Sequence, residues 1–301
     1  MTVSMKNGDI ENRVNTREAF PWNKNVIVDR EYKKDNYYLI NTFSPTKKAI
    51  VFFSSNGIYF PNTEDTFIKV MNSKNHGYEW TNIARNKKIR KTFEKIMFVR
   101  DIYKQWYVTG INKRYDTIDK VVELIRQELS GFSITTCGVS SGGYMAVIIG
   151  SLVGAERIVC SSGQFDLLLE DNPGPIVEEN RMNAAKVKYY DLRPYIEKKP
   201  IIYLYPAESQ QDIDQYNLVK DKIDWIFAVQ GKVHGSVIDA ICYPALLTMP
   251  EGKIVKLANK YCGYVTTKKE FREEILSVSE RIQYIMFRWY TLIRNIVHQL
   301  L

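Results

Sequence analysis

Histidine is the scarcest reactive side chain in this sequence: three residues, His76, His234 and His298, serve 301 positions. That scarcity argues against a histidine-built metal centre, which needs several imidazoles at ligand spacing. Cysteine is nearly as rare. Cys137, Cys160, Cys242 and Cys262 form no CxxC pair, so neither a zinc framework nor a disulfide scaffold is expected, and no metal with it. No run approaches the roughly 18 uninterrupted apolar residues of a membrane span. P-loop and dinucleotide glycine patterns are missing, as are internal repeats and low-complexity linkers. No signal-peptide pattern opens the chain, which together with unpaired cysteines reads as a reducing, cytoplasmic setting.

What is present suits a sizeable core. Hydrophobic residues make up 45% of the chain, and 20 Tyr, 13 Phe and 5 Trp argue against general disorder. A net charge of +8 favours an anionic partner: a phosphorylated cofactor, an acidic glycan or an anionic membrane surface. Solubility alone is the simpler alternative. The positive charge is spread out rather than gathered on a recognisable motif, so no nucleic-acid partner is expected.

Short β-branched or aromatic runs recur at 26–30 ("VIVDR"), 37–43, 49–55, 95–101, 132–138, 156–162, 200–206 and 224–230. Several are continuously apolar, as strands buried on both faces are. Between them lie helical patterns, among them 116–129 with Ile118, Val121, Val122, Ile125 and Leu129 on one stripe, and the mostly apolar 141–155. This alternation predicts an α/β protein with a doubly wound, mainly parallel sheet. The first two strands follow each other without a helix, so an antiparallel start is expected. Residues 1–15 read as a flexible arm, 16–240 as the main domain and 241–301 as a helical C-terminal region packed on it. Within the main domain, 166–199 is long, charged and interrupted by Pro173 and Pro175. It reads as a lid-like insertion or as a connecting helix with a ragged start.

The stretch "TTCGVSSGGYMA" (135–146) carries the chemistry. It places G-x-S-x-G, Gly138 to Gly142, between a strand and a helix, the context of a nucleophile elbow. Centring the frame on Ser141 would need glycine at Val139, so the frame selects Ser140. The glycines are required because the backbone there crowds its neighbours, and the following helix N-terminus and Ser141 N–H can face developing negative charge. A serine needs a base to take its proton. Where the acid and then the histidine follow the serine in the chain, His76 is excluded, and His298 lies far along a C-terminal helical pattern. His234, in "AVQGKVHGSVI" after the last strand-like run, is the remaining candidate. An acid must orient it. The loop "AESQQDIDQYNLVK" offers Asp212 first, then Asp214, then Glu208, the unused carboxylates capping the next helix. The loop in "FFSSNGIYF" suggests Asn56 or Gly57 as a second oxyanion donor, though an ordinary Asn-Gly turn would look the same.

With these loops in place the chain resembles the α/β-hydrolase fold, and more narrowly the hydrolase-like proteins of bacterial surface-polysaccharide synthesis: capsule O-acetyltransferases and carbohydrate transacetylases of accessory secretion systems. The resemblance rests on "FVRDIYKQWYVTGI" (98–111) with Asp101, Trp106, Tyr107 and Gly110, on "CGVSSGGYMAVIIGSLVGAERIVCSSGQ" (137–164), and on the loops around Asp212 and His234. It covers roughly 37–240. It implies a Ser140–Asp212–His234 triad passing an acyl group through an acyl-serine, with acetyl-CoA as donor and a polysaccharide or other carbohydrate as acceptor. A carboxylic ester hydrolase is the alternative. Trp106 and Tyr107, beyond a strand end, either stack on a sugar ring or fill the core. The likeness gives no role to 241–301. There "RIQYIMFRWYTLIRNIVHQLL" (281–301) sets an apolar stripe from Ile282 through Met286, Trp289 and Ile293 to Leu300, with arginines largely off it. The stripe could pack on the domain, form a dimer seam or lie peripherally on the inner face of a membrane, which would suit a partner of a capsule-assembly complex.

Overall fold

The runs from residue 37 onward become strands of one eight-stranded sheet, ordered β1-β3-β2-β4-β5-β6-β7-β8. The structure is a computed structural model describing residues 25–169, 175–180, 183 and 187–300. The strands are β1 (Tyr37–Asn41), β2 (Lys48–Phe53), β3 (Lys95–Val99), β4 (Ser133–Val139), β5 (Arg157–Ser161), β6 (Ile201–Pro206), β7 (Trp225–Val229) and β8 (Val265–Thr266). All pairings are parallel except that of β1, which runs antiparallel to β3. The expected antiparallel start is therefore an edge strand, and its partner is β3 rather than a preceding strand.

Helices α2 (Glu64–Met71), α3 (Thr81–Ala84) and α4 (Lys87–Thr92) lie between β2 and β3, and two longer helices flank β4 in the chain. α5 (Ile118–Glu128) buries its predicted stripe, and α6 (Ser141–Val153) is buried from Ser141 to Ser151. A helix apolar on every side has no solvent face, so it is wedged between the sheet and a further layer. The Thr136 hydroxyl on β4 donates to the Ala146 carbonyl at 2.7 Å, tying strand to helix. At Gly150 a β-carbon would stand 2.5 Å from Ile158 Cγ1, so glycine permits this close approach. Each fully buried aliphatic side chain here contributes about 1.5–3 kcal/mol.

The insertion, 166–199, is drawn together by an antiparallel bridge between Asp166 and Asp191. Its described part holds the short helix α7 (Pro175–Asn180) and then Tyr189, Tyr190 and Leu192, all buried. The Tyr144 hydroxyl on α6 donates to Tyr189 O at 2.9 Å. The segment thus covers α6. The arm 1–15 and Pro173 lie outside the described residues.

Two expectations are corrected. "VIVDR" is not a strand but the start of helix α1 (Val26–Tyr32). Asn25 caps it, its side chain accepting from Ile27 N and Val28 N, and Asp29–Lys33 and Glu31–Lys34 ion pairs line it. A strong N-cap and helical charge spacing outweigh the β-branched residues. Nor is 240 a boundary in the fold, or the region beyond it purely helical. β8 extends the sheet from there, and α9 (Cys242–Thr248), α10 (Glu251–Tyr261) and α11 (Lys268–Ile275) bury Leu246, Leu247, Ile254, Leu257 and Phe271 in the core beneath the other sheet face. The last helix, α12 (Val278–Leu300), is tied to the body near its start, by the Glu280–Lys88 ion pair at 2.7 Å and by Arg272 Nη1 donating to the Tyr284 hydroxyl at 3.3 Å. Ile282, Ile285, Met286, Trp289 and Ile293 are exposed, so these residues do not pack on the domain. The side chains of Leu292, Ile296, His298 and Leu300 lie outside the described set. No described helix is long and apolar enough to cross a membrane. All four cysteines are free thiols, three buried and Cys262 exposed.

Candidate active site

Ser140 sits between the end of β4 and the start of α6 with φ 54° and ψ −126°, outside the ordinary allowed regions. The strain is imposed from all sides. Ser140 N donates to Ser161 O at 2.9 Å on the neighbouring strand, and Ser140 O accepts from Tyr144 N at 3.0 Å. A β-carbon at Gly138 would lie 2.0 Å from Gly142 O, and one at Gly142 would lie 2.4 Å from Phe53 O. The spacing of the motif is therefore a packing requirement, and the turn lifts the hydroxyl off the strand end. This is the geometry of a nucleophile elbow.

Loops from two other strands complete it. His234, after β7, stands with Nε2 2.8 Å from Ser140 Oγ. Its Nδ1 lies 3.0 Å from Asp212 Oδ2 and 3.1 Å from Oδ1. Asp212 is on the first turn of α8 (Gln210–Val219) and 1% exposed. A carboxylate can only accept, so the neutral imidazole carries its proton on Nδ1 and turns the Nε2 lone pair toward the serine. The structure brings Ser140, Asp212 and His234 together, and leaves Asp214 and Glu208 aside. Asp214 is exposed and accepts from Gln210 Nε2 at 2.7 Å, while Glu208 is exposed with its N–H on Gly231 O. Neither caps α8: Ser209 is the N-cap residue, and its hydroxyl donates to Asp212 Oδ2 at 2.6 Å. Sequence reasoning missed this second partner, although S-x-x-D at a helix start was a visible signal. Gly235, at φ 77°, donates its N–H to Ser162 Oγ at 3.1 Å and fixes the histidine loop.

Strand order, elbow and chain order of the three side chains agree. The fold is that of the α/β-hydrolases. No protein-family model matches the sequence, and no curated protein matches it. Similar solved structures include a mutant of the capsule O-acetyltransferase of Neisseria meningitidis serogroup A in complex with CoA, at 12% identity and TM-score 0.45, covering 70% of this chain and 89% of that one. The Staphylococcus aureus fluorophosphonate-binding serine hydrolase F gives 14% identity and TM-score 0.43 over 74% and 98%. Carboxyl esterase 2 of Tuber melanosporum gives 15% identity and TM-score 0.39 over 80% and 82%.

Around this α/β-hydrolase elbow, the loop after β2 adjoins α6: Ser141 Oγ donates to Asn56 Oδ1 at 3.0 Å. Among the described residues, the backbone N–H groups of Ser141 and Asn56 have no protein acceptor. Gly57 does not share this freedom, because its N–H donates to Ser55 Oγ at 3.0 Å inside the turn. Glu79 braces the same loop from below, accepting from Ser55 N and, at 3.1 Å, from Ser55 Oγ. Burial pushes its carboxyl up.

Trp106 and Tyr107 are corrected as sugar-stacking residues. They are 2% and 0% exposed, with no ring face presented to a ligand. Both have positive φ, in a turn gathered by Asp101, whose Oδ2 accepts from Gln105 N at 2.6 Å and Tyr107 N at 2.9 Å and whose Oδ1 accepts from Tyr103 N at 3.0 Å. Burial raises the Asp101 carboxyl to about 6 against these bonds. The Tyr107 hydroxyl donates to Ser54 O at 2.7 Å, and Trp106 Nε1 donates to Gln164 Oε1 at 3.0 Å. A cavity of about 470 Å³, lined by Thr109, Asp119, Glu179 and Lys188 among others, lies under the insertion and does not touch the triad.

Proposed function

We propose that the protein is a serine-nucleophile acyltransferase that moves an acetyl group from acetyl-CoA to a carbohydrate hydroxyl. The observation that carries the acyl chemistry is the 2.8 Å contact of His234 Nε2 with Ser140 Oγ, backed by the buried Asp212 on Nδ1. In the first half-reaction Ser140 gives its proton to His234 Nε2 and Oγ attacks the thioester carbon. The carbon–sulfur bond then breaks, and the thiolate leaves with the proton from His234. The Ser141 and Asn56 N–H groups are the donors for the intermediate's oxyanion. In the second half-reaction the acceptor hydroxyl gives its proton to His234, its oxygen bonds to the acyl carbon, and Ser140 Oγ takes the proton back. The net charge of +8 suits a donor that carries phosphates.

Intact-mass analysis after mixing with acetyl-CoA, beside Ser140→Ala and His234→Ala controls, tests this. The expected result is an acetyl adduct on the wild type that both substitutions reduce by at least about 10³-fold in rate. An added polysaccharide should discharge it faster than water. Discharge by water alone, unaffected by any carbohydrate, would make the protein an esterase. An adduct undiminished in Ser140→Ala would remove the nucleophile assignment.

A further inference from the structure

Gln164 lies just beyond β5 and is 1% exposed. Its backbone surroundings are pinned on both sides. Ser162 N donates to Leu204 O at 2.8 Å, and Phe165 N donates to Gln215 Oε1 at 2.7 Å. Gly163 leaves no slack, since a β-carbon there would stand 2.3 Å from Cys160 Sγ. The side chain is fixed as well. An indole N–H can only donate, so Trp106 Nε1 forces the amide oxygen of Gln164 to face it. The amide nitrogen must then face the other way, where it stands 3.5 Å from His234 Nε2.

That contact is poorly satisfied. His234 Nε2 has one lone pair and already receives Ser140 Oγ at 2.8 Å, leaving little for a second donor at the limit of hydrogen-bond distance. A buried amide that lacks a full acceptor carries a desolvation cost. The group is held, aimed and under-used beside the proton-transfer atom. In the second half-reaction the accepting hydroxyl must come within hydrogen-bond distance of that same Nε2. An oxygen there can also lie within reach of the Gln164 amide.

We propose that Gln164 positions the accepting oxygen: its Nε2–H donates to the incoming hydroxyl while that hydroxyl donates its own proton to His234. This rests on the acyl-serine reading above. The oxygen uses one lone pair for Gln164 and another to form the bond to the acyl carbon. The Ser140 Oγ–carbon bond breaks, and Oγ regains a proton from His234. The donor discriminates by element. Sulfur accepts hydrogen bonds weakly, so a thiol or thioester at this place gains little from Gln164, whereas an oxygen gains a full bond. Gln164 therefore acts mainly on transfer to a hydroxyl and hardly on loading from a thioester.

The test loads Ser140 with acetyl from acetyl-CoA, then follows loss of the adduct by rapid quench and intact mass with three acceptors: water, methyl glucoside and coenzyme A. For Gln164→Met, which keeps the bulk and loses the donor, loading and discharge to coenzyme A stay within about twofold of wild type. Discharge to water and methyl glucoside slows roughly tenfold. Trp106→Phe, which frees the amide to rotate, gives a weaker version of the same split. Normal loading shows that the variant is folded. Equal slowing toward oxygen and sulfur acceptors, or no slowing toward either, overturns the proposal. Failure of the wild type to load at all sinks the acyltransferase reading instead, and this inference with it.

Discussion

Helices α6 and α12 are both rich in apolar residues, and they meet opposite fates. α6 is buried on every side from Ser141 to Ser151, with Gly142 and Gly143 letting strand and loop backbone approach closely and Gly150 admitting the Ile158 side chain, and it carries Ser140 at its N-terminus. α12 has a clear apolar stripe, yet Met286 is 66% and Trp289 62% exposed. Where a helix is apolar all round, the fold must close over it, and whatever it carries is held rigidly. Where the apolar residues keep to one stripe, a helix can be anchored by its polar residues and leave that stripe exposed.

Gly138→Ala should give the largest response. Its added methyl would stand 2.0 Å from backbone that has no room to yield, so a stability loss of at least about 3 kcal/mol is expected from the urea midpoint. A midpoint close to wild type would show that the elbow is not so tightly held. A smaller effect tests the buried side through pH. The Asp101 carboxyl is raised from 3.8 to about 6 in the folded protein, so the folded state holds its proton longer than the unfolded chain. Its contribution is full below the unfolded value and is lost as pH rises through about 6, by up to about 3 kcal/mol. Asp101→Asn should accordingly gain stability relative to wild type between about pH 4 and 6. A constant difference across that range would show that the carboxyl is not buried as described. The smallest effect belongs to α12. Ile285→Lys combined with Trp289→Lys should shift the midpoint by less than about 0.5 kcal/mol and leave the rate of the proposed Ser140 acetylation unchanged. A marked loss of stability would mean that the stripe is covered by the body after all.

The same contrast explains what could be read in the sequence. Ser140 was legible because its motif, the strand before it and the helix after it are all local. His234 followed from the scarcity of histidine. The acid stayed open among three carboxylates, since the choice depends on direction. Asp214, two residues past Asp212, is turned by roughly 200° around α8 and faces solvent. The aromatic pair at 106–107 could not be placed, because both residues adopt positive φ in a turn that Asp101 organises through contacts invisible to periodicity. "VIVDR" misled because strand propensity was weighed without the Asn25 cap. Gln164 closes a stretch that supported the resemblance, but its orientation depends on a tryptophan 58 residues away.

The four free thiols give the protein its own gauge of opening. Cys137 and Cys160 sit within adjacent central strands and Cys242 in a helix beneath the other sheet face, and burial raises all three toward the unreactive protonated form. Cys262 alone is exposed. A thiol reagent should therefore label one position at once. The other three should react at rates set by how often strand β4, strand β5 and helix α9 come apart, reporting the local free energy of each without any substitution.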